Sequence, residues 1–146
     1  MQGVEDRLRE LADKDGQYRE FNARVVATAD PATMLGVRVP KLRRLAREVS
    51  RSGDRDAFLA ELSHRWYEGY LVHAFVLNET SEVADAVRLL DALLPFVDNW
   101  CVCDALNPRA FHNEKALGGQ QQEVLLPLAQ RWMASEHTFT RRFGVA

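Results

Sequence analysis

No stretch of this chain alternates apolar and polar residues with the period of two that a half-buried strand needs, whereas apolar residues three and four apart recur along its length. That spacing predicts an all-α fold. Val4, Leu8 and Leu11 form a first stripe, stopped by the turn sequence DKDG at 13–16, and Tyr18, Phe21 and Val25 form the next. Asp30-Pro31 reads as an N-cap followed by proline at the first helical position. Gly36 interrupts the chain before Pro40 opens PKLRRLAREVSR, with Leu42, Leu45 and Val49 inward and Lys41, Arg44 and Arg47 towards solvent. Further helices are expected over 55–64, 66–78 and 82–94. The last of these carries Val83, Val87, Leu90 and Leu94 on one stripe and is ended by Pro95. Asn107-Pro108 repeats the cap-then-proline signature, Gly118-Gly119 stops that helix, and 120–134 forms another.

Short connections between so many helices make successive ones antiparallel neighbours. The expected architecture is an α-α superhelix, a HEAT-like or ARM-like solenoid of antiparallel helix pairs, rather than a four-helix bundle. Trp66, Trp100 and Trp132 recur at near-equal intervals but at different places in their helices, so they add little to that expectation. A chain of 146 residues, 47% hydrophobic and 27% charged, is sized and composed for one globular domain, 1–146. At the C-terminus, EHTFTRRFGVA starts a helix with Phe139 and Phe143 one turn apart and shows no polar closing repeat. The expectation is a solenoid truncated there, its last helix exposing apolar surface or burying it in a partner, for example in a homodimer.

Several function classes are excluded at this level. No apolar run approaches the ~18 residues of a membrane span, and the first residues lack the apolar core of a secretory signal, so a cytoplasmic protein is expected. Cys101 and Cys103 are then reduced thiols, too close to pair with each other, and Cys-x-Cys without further cysteines is a poor zinc signature. His64, His73, His112 and His137 share no ligand spacing, and no phosphate-binding or dinucleotide fingerprint occurs. Neither metal nor cofactor is expected. A net charge of −2 gives no global attraction to nucleic acid, so any such binding must use a local patch.

The stretch VDNWCVCDAL, residues 97–106, sets one indole and one carboxylate four apart in otherwise apolar sequence. On a helix, Trp100 and Asp104 lie about 40° apart and share a face. A buried, unpaired carboxylate costs on the order of several kcal/mol, so Asp104 either has a partner or faces a solvated concavity. One reading pairs Asp104 with an arginine on a neighbouring helix and places Trp100 in the core. The other is a site in which the acid's charge and the ring's quadrupole stabilise a cationic transition state.

GVRVPKLRRLAREV, WYEGYLVHAFVL, VDNWCVCDAL and WMASEHTFTRRFGVA resemble, in order and spacing, successive segments of the AlkD-like DNA alkylation repair family, helical-repeat glycosylases related to HEAT repeats. The resemblance covers roughly 17–146. Its most specific piece is the aromatic-x-x-x-Asp helix preceded by VDN and followed by the W-x-x-S…RR segment. The resemblance implies hydrolysis of the glycosidic bond of purines alkylated at N3 or N7, in duplex DNA and without extruding the base into a pocket. It also implies the roles of three side chains. Asp104 would stabilise the developing sugar cation and position the attacking water, Trp100 would pack on the deoxyribose, and Arg142 would contact the DNA backbone near the lesion. In the family a second aromatic wall comes from a later repeat, and other residues stand at the positions of Cys101 and Cys103, so a chain ending at Ala146 is expected to bind weakly or not turn over.

Lys41, Arg44 and Arg47, with Arg43, form a candidate phosphate-contacting edge, although a charged outer helix face is the more common explanation of such a run. Of the adjacent Arg141 and Arg142, at most one faces the groove, and the other is expected to be a salt-bridge partner. Glu68, Tyr70 and His73 fall on a helix expected to border the groove, read as a packed interior histidine beside a solvated acid. Two rivals to the glycosylase stand: a non-catalytic helical-repeat module binding DNA or protein, and an interaction scaffold that does not bind nucleic acid.

Overall fold

The computed structural model describes residues 3–12, 16–26, 29–112 and 121–145, with the side chains of Gln121 and Gln122 left aside. Among the described residues every regular element is helical and none is a strand, as the periodicity predicts. None of these helices is long and apolar enough to cross a membrane. The expected stops at 13–15 and at Gly118-Gly119 lie outside the described residues. The chain forms two compact units, Met1–Val76 and Leu77–Ala146.

In the first unit, α1 (Val4–Leu11) buries Leu8 completely, and α2 (Gln17–Val25) starts at Gly16, whose φ of 73° is the left-handed conformation glycine tolerates. The second apolar stripe does not become core: Phe21 is 56% and Val25 46% exposed. Asp30 caps as expected, its Oδ1 accepting from Ala32 N at 3.0 Å, but it opens a single 3-10 turn, Pro31–Thr33, because Met34 onward is extended. Helix α3 (Val39–Arg51) carries proline near its start and buries Leu42, Leu45, Ala46 and Val49. Arg7 Nη1 meets Glu48 Oε2 at 2.7 Å and ties α1 to α3.

Helix α4 (Arg55–Ala60) is shorter than the expected 55–64. Beyond it, tertiary bonds replace helical ones: His64 N donates to the Tyr70 hydroxyl at 3.1 Å, and the His64 ring bonds that of His73. Helix α5 (Tyr67–Asn78) is buried on nearly every side, as a helix apolar all round should be.

One buried carboxylate organises the turn that leads into α3. Glu68 is fully buried, not solvated as its charge suggests, because its two oxygens accept from the amides of Leu35 (3.0 Å), Gly36 (2.9 Å) and Val37 (3.4 Å). Gly36 has φ 83°, and a Cβ there would stand 2.7 Å from Arg19 Cβ and 3.0 Å from its Cα and N. Arg19 Nε in turn donates to Met34 O at 2.8 Å, closing the same turn from the other side.

In the second unit, α6 (Val83–Leu93) buries Ala86, Leu89, Leu90 and Leu93 and tightens into a 3-10 turn, Leu94–Phe96, at Pro95. Then come α7 (Trp100–Ala105), a 3-10 segment Arg109–His112, α8 (Gln121–Met133, with Pro127 inside it) and α9 (Thr138–Val145). The Asn78 amide joins the turn after α7, donating to Ala105 O (2.8 Å) and accepting from Asn107 N (2.7 Å). Asp91 on α6 takes Trp132 Nε1 on one oxygen (2.9 Å) and Arg131 Nη2 on the other (3.0 Å), fixing α8. Helix α9 lies close on α8: a Cβ on Gly144 would stand 2.8 Å from Ala129 O and from Met133 N. Its apolar side is therefore largely covered. Phe143 is 8% exposed and meets Trp132 edge-on at 5.1 Å, while Val145, Leu126 and Met133 remain open.

Candidate functional site

The short helix α7 is positioned by its ends and its inner face. Asn99, itself buried, caps it by accepting from Val102 N at 3.0 Å. Val102 and Cys103 are buried, and at 100° per residue the midpoint of their directions lies about 130° from that of positions 100 and 104. Trp100 is accordingly 36% exposed and the Asp104 side chain 41% exposed. The indole is no core residue, and the acid faces solvent.

Asp104 does have a partner. Arg142 on α9 forms a two-pronged pair with it, Nε to Oδ1 at 2.8 Å and Nη2 to Oδ2 at 2.7 Å. These hydrogen bonds hold the Asp104 carboxyl below its ordinary range, against the opposing effect of partial burial, and the Coulomb attraction adds to them. The Arg142 guanidinium is raised for the same reason. Asp104 is thus an anion at neutral pH, held in one orientation by a planar fork. An exposed ion pair of this kind contributes little to stability. What holds α7 against α9 lies beneath it: Cys103 Sγ donates to Phe139 O at 3.2 Å within the packed interior.

Both readings of Asp104 are therefore partly realised. It pairs with an arginine on a neighbouring helix, and it stays open to solvent beside an exposed indole on the same helix face. Of the two adjacent arginines, the one expected in the groove, Arg142, is the ion-paired one. Arg141 is exposed and makes no ion pair among the described residues. That Arg142 would meet Asp104 was missed, because residues far apart in sequence leave no periodic signal of their pairing.

The basic edge of α3 lies in the first unit. Lys41, Arg44 and Arg47 are exposed on the side away from Leu42, Leu45 and Val49, and they make no ion pair among the described residues. Arg43 is turned back over the Phe75 ring at 4.4 Å.

The remaining titratable groups are structural in their contacts. Burial pushes the Cys103 thiol up to about 11, the nearby Asp104 charge adding to this and Arg142 opposing it, so Cys103 is no nucleophile at neutral pH. His137 caps α9, its Nδ1 accepting from Thr140 N at 3.2 Å, and His112 bonds Asn107. His73 is packed as expected, fully buried against His64 and Phe58. Among the described residues no three histidine, cysteine or carboxylate side chains gather as metal ligands would.

A family model described as DNA alkylation repair enzyme matches residues 4–146. No curated protein and no solved structure gave a significant match.

Proposed function

Because the chain belongs to the DNA alkylation repair enzyme family, a membership that supports a role in DNA repair with DNA as substrate or partner, we propose that the α7–α9 face is the site of an alkylpurine DNA glycosylase. The substrate is duplex DNA carrying a purine alkylated at N3 or N7. Such a base is cationic before any reaction, so breaking its glycosidic bond sends the bonding pair into the ring and releases a neutral base. Positive charge then builds on the deoxyribose. Asp104, anionic and oriented, is suited to stabilise that cation and to direct a water at C1′. The water forms the new C–O bond and loses its proton to the carboxylate or to solvent. Trp100 offers an apolar, electron-rich wall for the sugar.

Arg142 serves two roles in this scheme. Its Nε and one Nη2 N–H are committed to Asp104, and the remaining N–H groups of the fork are open to a phosphate oxygen. Lys41, Arg44 and Arg47, exposed on α3 in the first unit, are suited on their own account to phosphate contacts, which carry no sequence information. No metal or cofactor enters the scheme.

The observation that supports this reading is a preorganised carboxylate that stays open to solvent on the same helix face as an exposed indole. A second reading draws on the same pair: with both Asp104 oxygens already satisfied by Arg142, the face could bind DNA without catalysis. Duplex containing 7-methylguanine separates the two. Under the glycosylase reading the wild-type protein at its full native length releases 7-methylguanine and Asp104→Asn releases it about two orders of magnitude more slowly, while both bind the duplex. Binding with no release by either would leave the non-catalytic module.

A further inference from the structure

The first unit contains a pocket that the DNA reading does not use. It has a volume of about 440 Å³, within the range of small-molecule sites, and sits among α1, α4 and the segment entering α5. Val4, Ala57 and Phe58 give it apolar walls, with the buried Leu8 and Val49 beneath them. Glu5, Asp54 and Glu61 stand on its rim, exposed, and their carboxylates have no hydrogen bond or ion pair among the described residues. The lining contains one guanidinium, that of Arg65, and it is stacked over the Trp66 ring at 4.9 Å.

The inner wall includes the imidazole of His64, which is linked behind the wall to that of His73. His64 Nε2 and His73 Nδ1 are 2.8 Å apart, so one of them carries the shared hydrogen. His73 Nε2 has no hydrogen-bond partner, and His64 Nδ1 has none among the described residues. In the tautomer in which His64 Nε2–H donates to His73 Nδ1, the lone pair of His64 Nδ1 is free to accept from a ligand. Gly69 lies beside that nitrogen, where a Cβ would stand 3.6 Å from Nδ1 and 3.1 Å from His64 Cβ, and both residues line the pocket. Burial keeps both rings neutral near pH 7, so the lone pair persists.

An apolar cavity rimmed by three unpaired carboxylates and walled by an imidazole acceptor is matched by a ligand that donates hydrogen bonds and carries positive charge. We propose that this pocket binds a small organic cation, a protonated amine on an apolar or aromatic body. The ammonium lies between the His64 lone pair and the rim carboxylates, and the body rests on Val4, Ala57 and Phe58. Anions of the same shape are excluded by the rim, and neutral analogues lack the charge it selects. The pocket lies in the first unit and the proposed catalytic side chains in the second, so each proposal stands or falls without the other.

The test uses the full chain at pH 7 and low salt with three probes of nearly one shape: phenethylamine, 2-phenylethanol and phenylacetate. The expected result is saturable phenethylamine binding with a shift of the His64 Nδ1 nitrogen resonance, and at least tenfold weaker binding of the other two. The double variant Asp54→Asn with Glu61→Gln, both surface changes, is expected to weaken phenethylamine about tenfold with the far-ultraviolet spectrum unchanged. Gly69→Ala, where it folds, is expected to abolish binding by filling the space at Nδ1. Absence of saturable phenethylamine binding, equal binding of all three probes, or binding indifferent to the carboxylate variants would each overturn the proposal.

Discussion

Replacing Glu68 by alanine is expected to be among the most destabilising single changes in the first unit. The carboxylate makes two good hydrogen bonds to backbone amides, at 2.9 and 3.0 Å, and a long one at 3.4 Å, all at a fully buried side chain. Hydrogen bonds to a charged group are worth about 1.5–3 kcal/mol each, and donors left unsatisfied in the interior forfeit their solvation as well. Against this stands the cost of keeping the carboxylate buried, which the alanine relieves. The balance is a loss of about 3–5 kcal/mol, a large part of the 5–15 kcal/mol that typically holds a domain together. Glu68→Gln keeps one acceptor oxygen and the side-chain volume, so its loss is expected at roughly half that of alanine. Urea unfolding followed by circular dichroism measures both values, and amide exchange at residues 35–37 locates them. A Glu68→Ala loss below about 1 kcal/mol, with those amides still protected, would refute the reasoning.

Gly36→Ala forces an L side chain to φ 83° with its Cβ 3.0 Å from Arg19 backbone atoms, so a loss of at least roughly 1–3 kcal/mol is expected in the same unfolding assay, and an unchanged midpoint would contradict it. Burial lowers His64 from 6.5 to about 4 and, with the His64 charge adding, His73 to about 3. The unfolded chain therefore binds protons that the folded one refuses, and stability present above pH 6.5 is lost as the pH falls from there through about 4; a midpoint that rises on acidification, or a slope unchanged in His73→Gln, would be the wrong sign or the wrong residue. With its thiol near 11 and only 1% exposed, Cys103 is expected to survive iodoacetamide at pH 8 in the folded protein, read by tandem mass spectrometry; alkylation at the rate of a free thiol would show that the α7–α9 packing is not as described.

How much of this was legible in the sequence depends on the range of the interaction. The two faces of α3 were readable because helical spacing alone assigns Leu42, Leu45 and Val49 to one side and Lys41, Arg44 and Arg47 to the other. The Asp30-Pro31 cap was readable for the same local reason, although not that it would yield only a single turn. Periodicity also placed Tyr18, Phe21 and Val25 on one side of α2, yet it says nothing about whether anything covers that side, and Phe21 and Val25 are open. The exposure of Trp100 and Asp104 follows from the burial of Val102 and Cys103, two small apolar residues whose preference over an indole for the interior is a packing outcome. Pairings between distant residues were out of reach: Glu68 with the 35–37 amides, His64 with His73, and Arg142 with Asp104. The nearly all-apolar run around Glu68 was the one available hint, since an acid in a helix buried on every side must find donors of its own.

Single-turnover release of 7-methylguanine from duplex DNA, with protein in excess, tests the central claim most directly, because it reads chemistry separately from product release. Removing one preorganised electrostatic group typically raises a barrier by about 3 kcal/mol, so Asp104→Asn is expected to slow release by about two orders of magnitude. Its DNA affinity should still fall with salt and be no weaker than the wild type's, because the change removes a negative charge beside Arg142 and takes away no phosphate-contacting side chain. Equal rates for the wild-type and Asp104→Asn chains would contradict the account and leave the Asp104–Arg142 pair a surface ion pair with no part in the reaction.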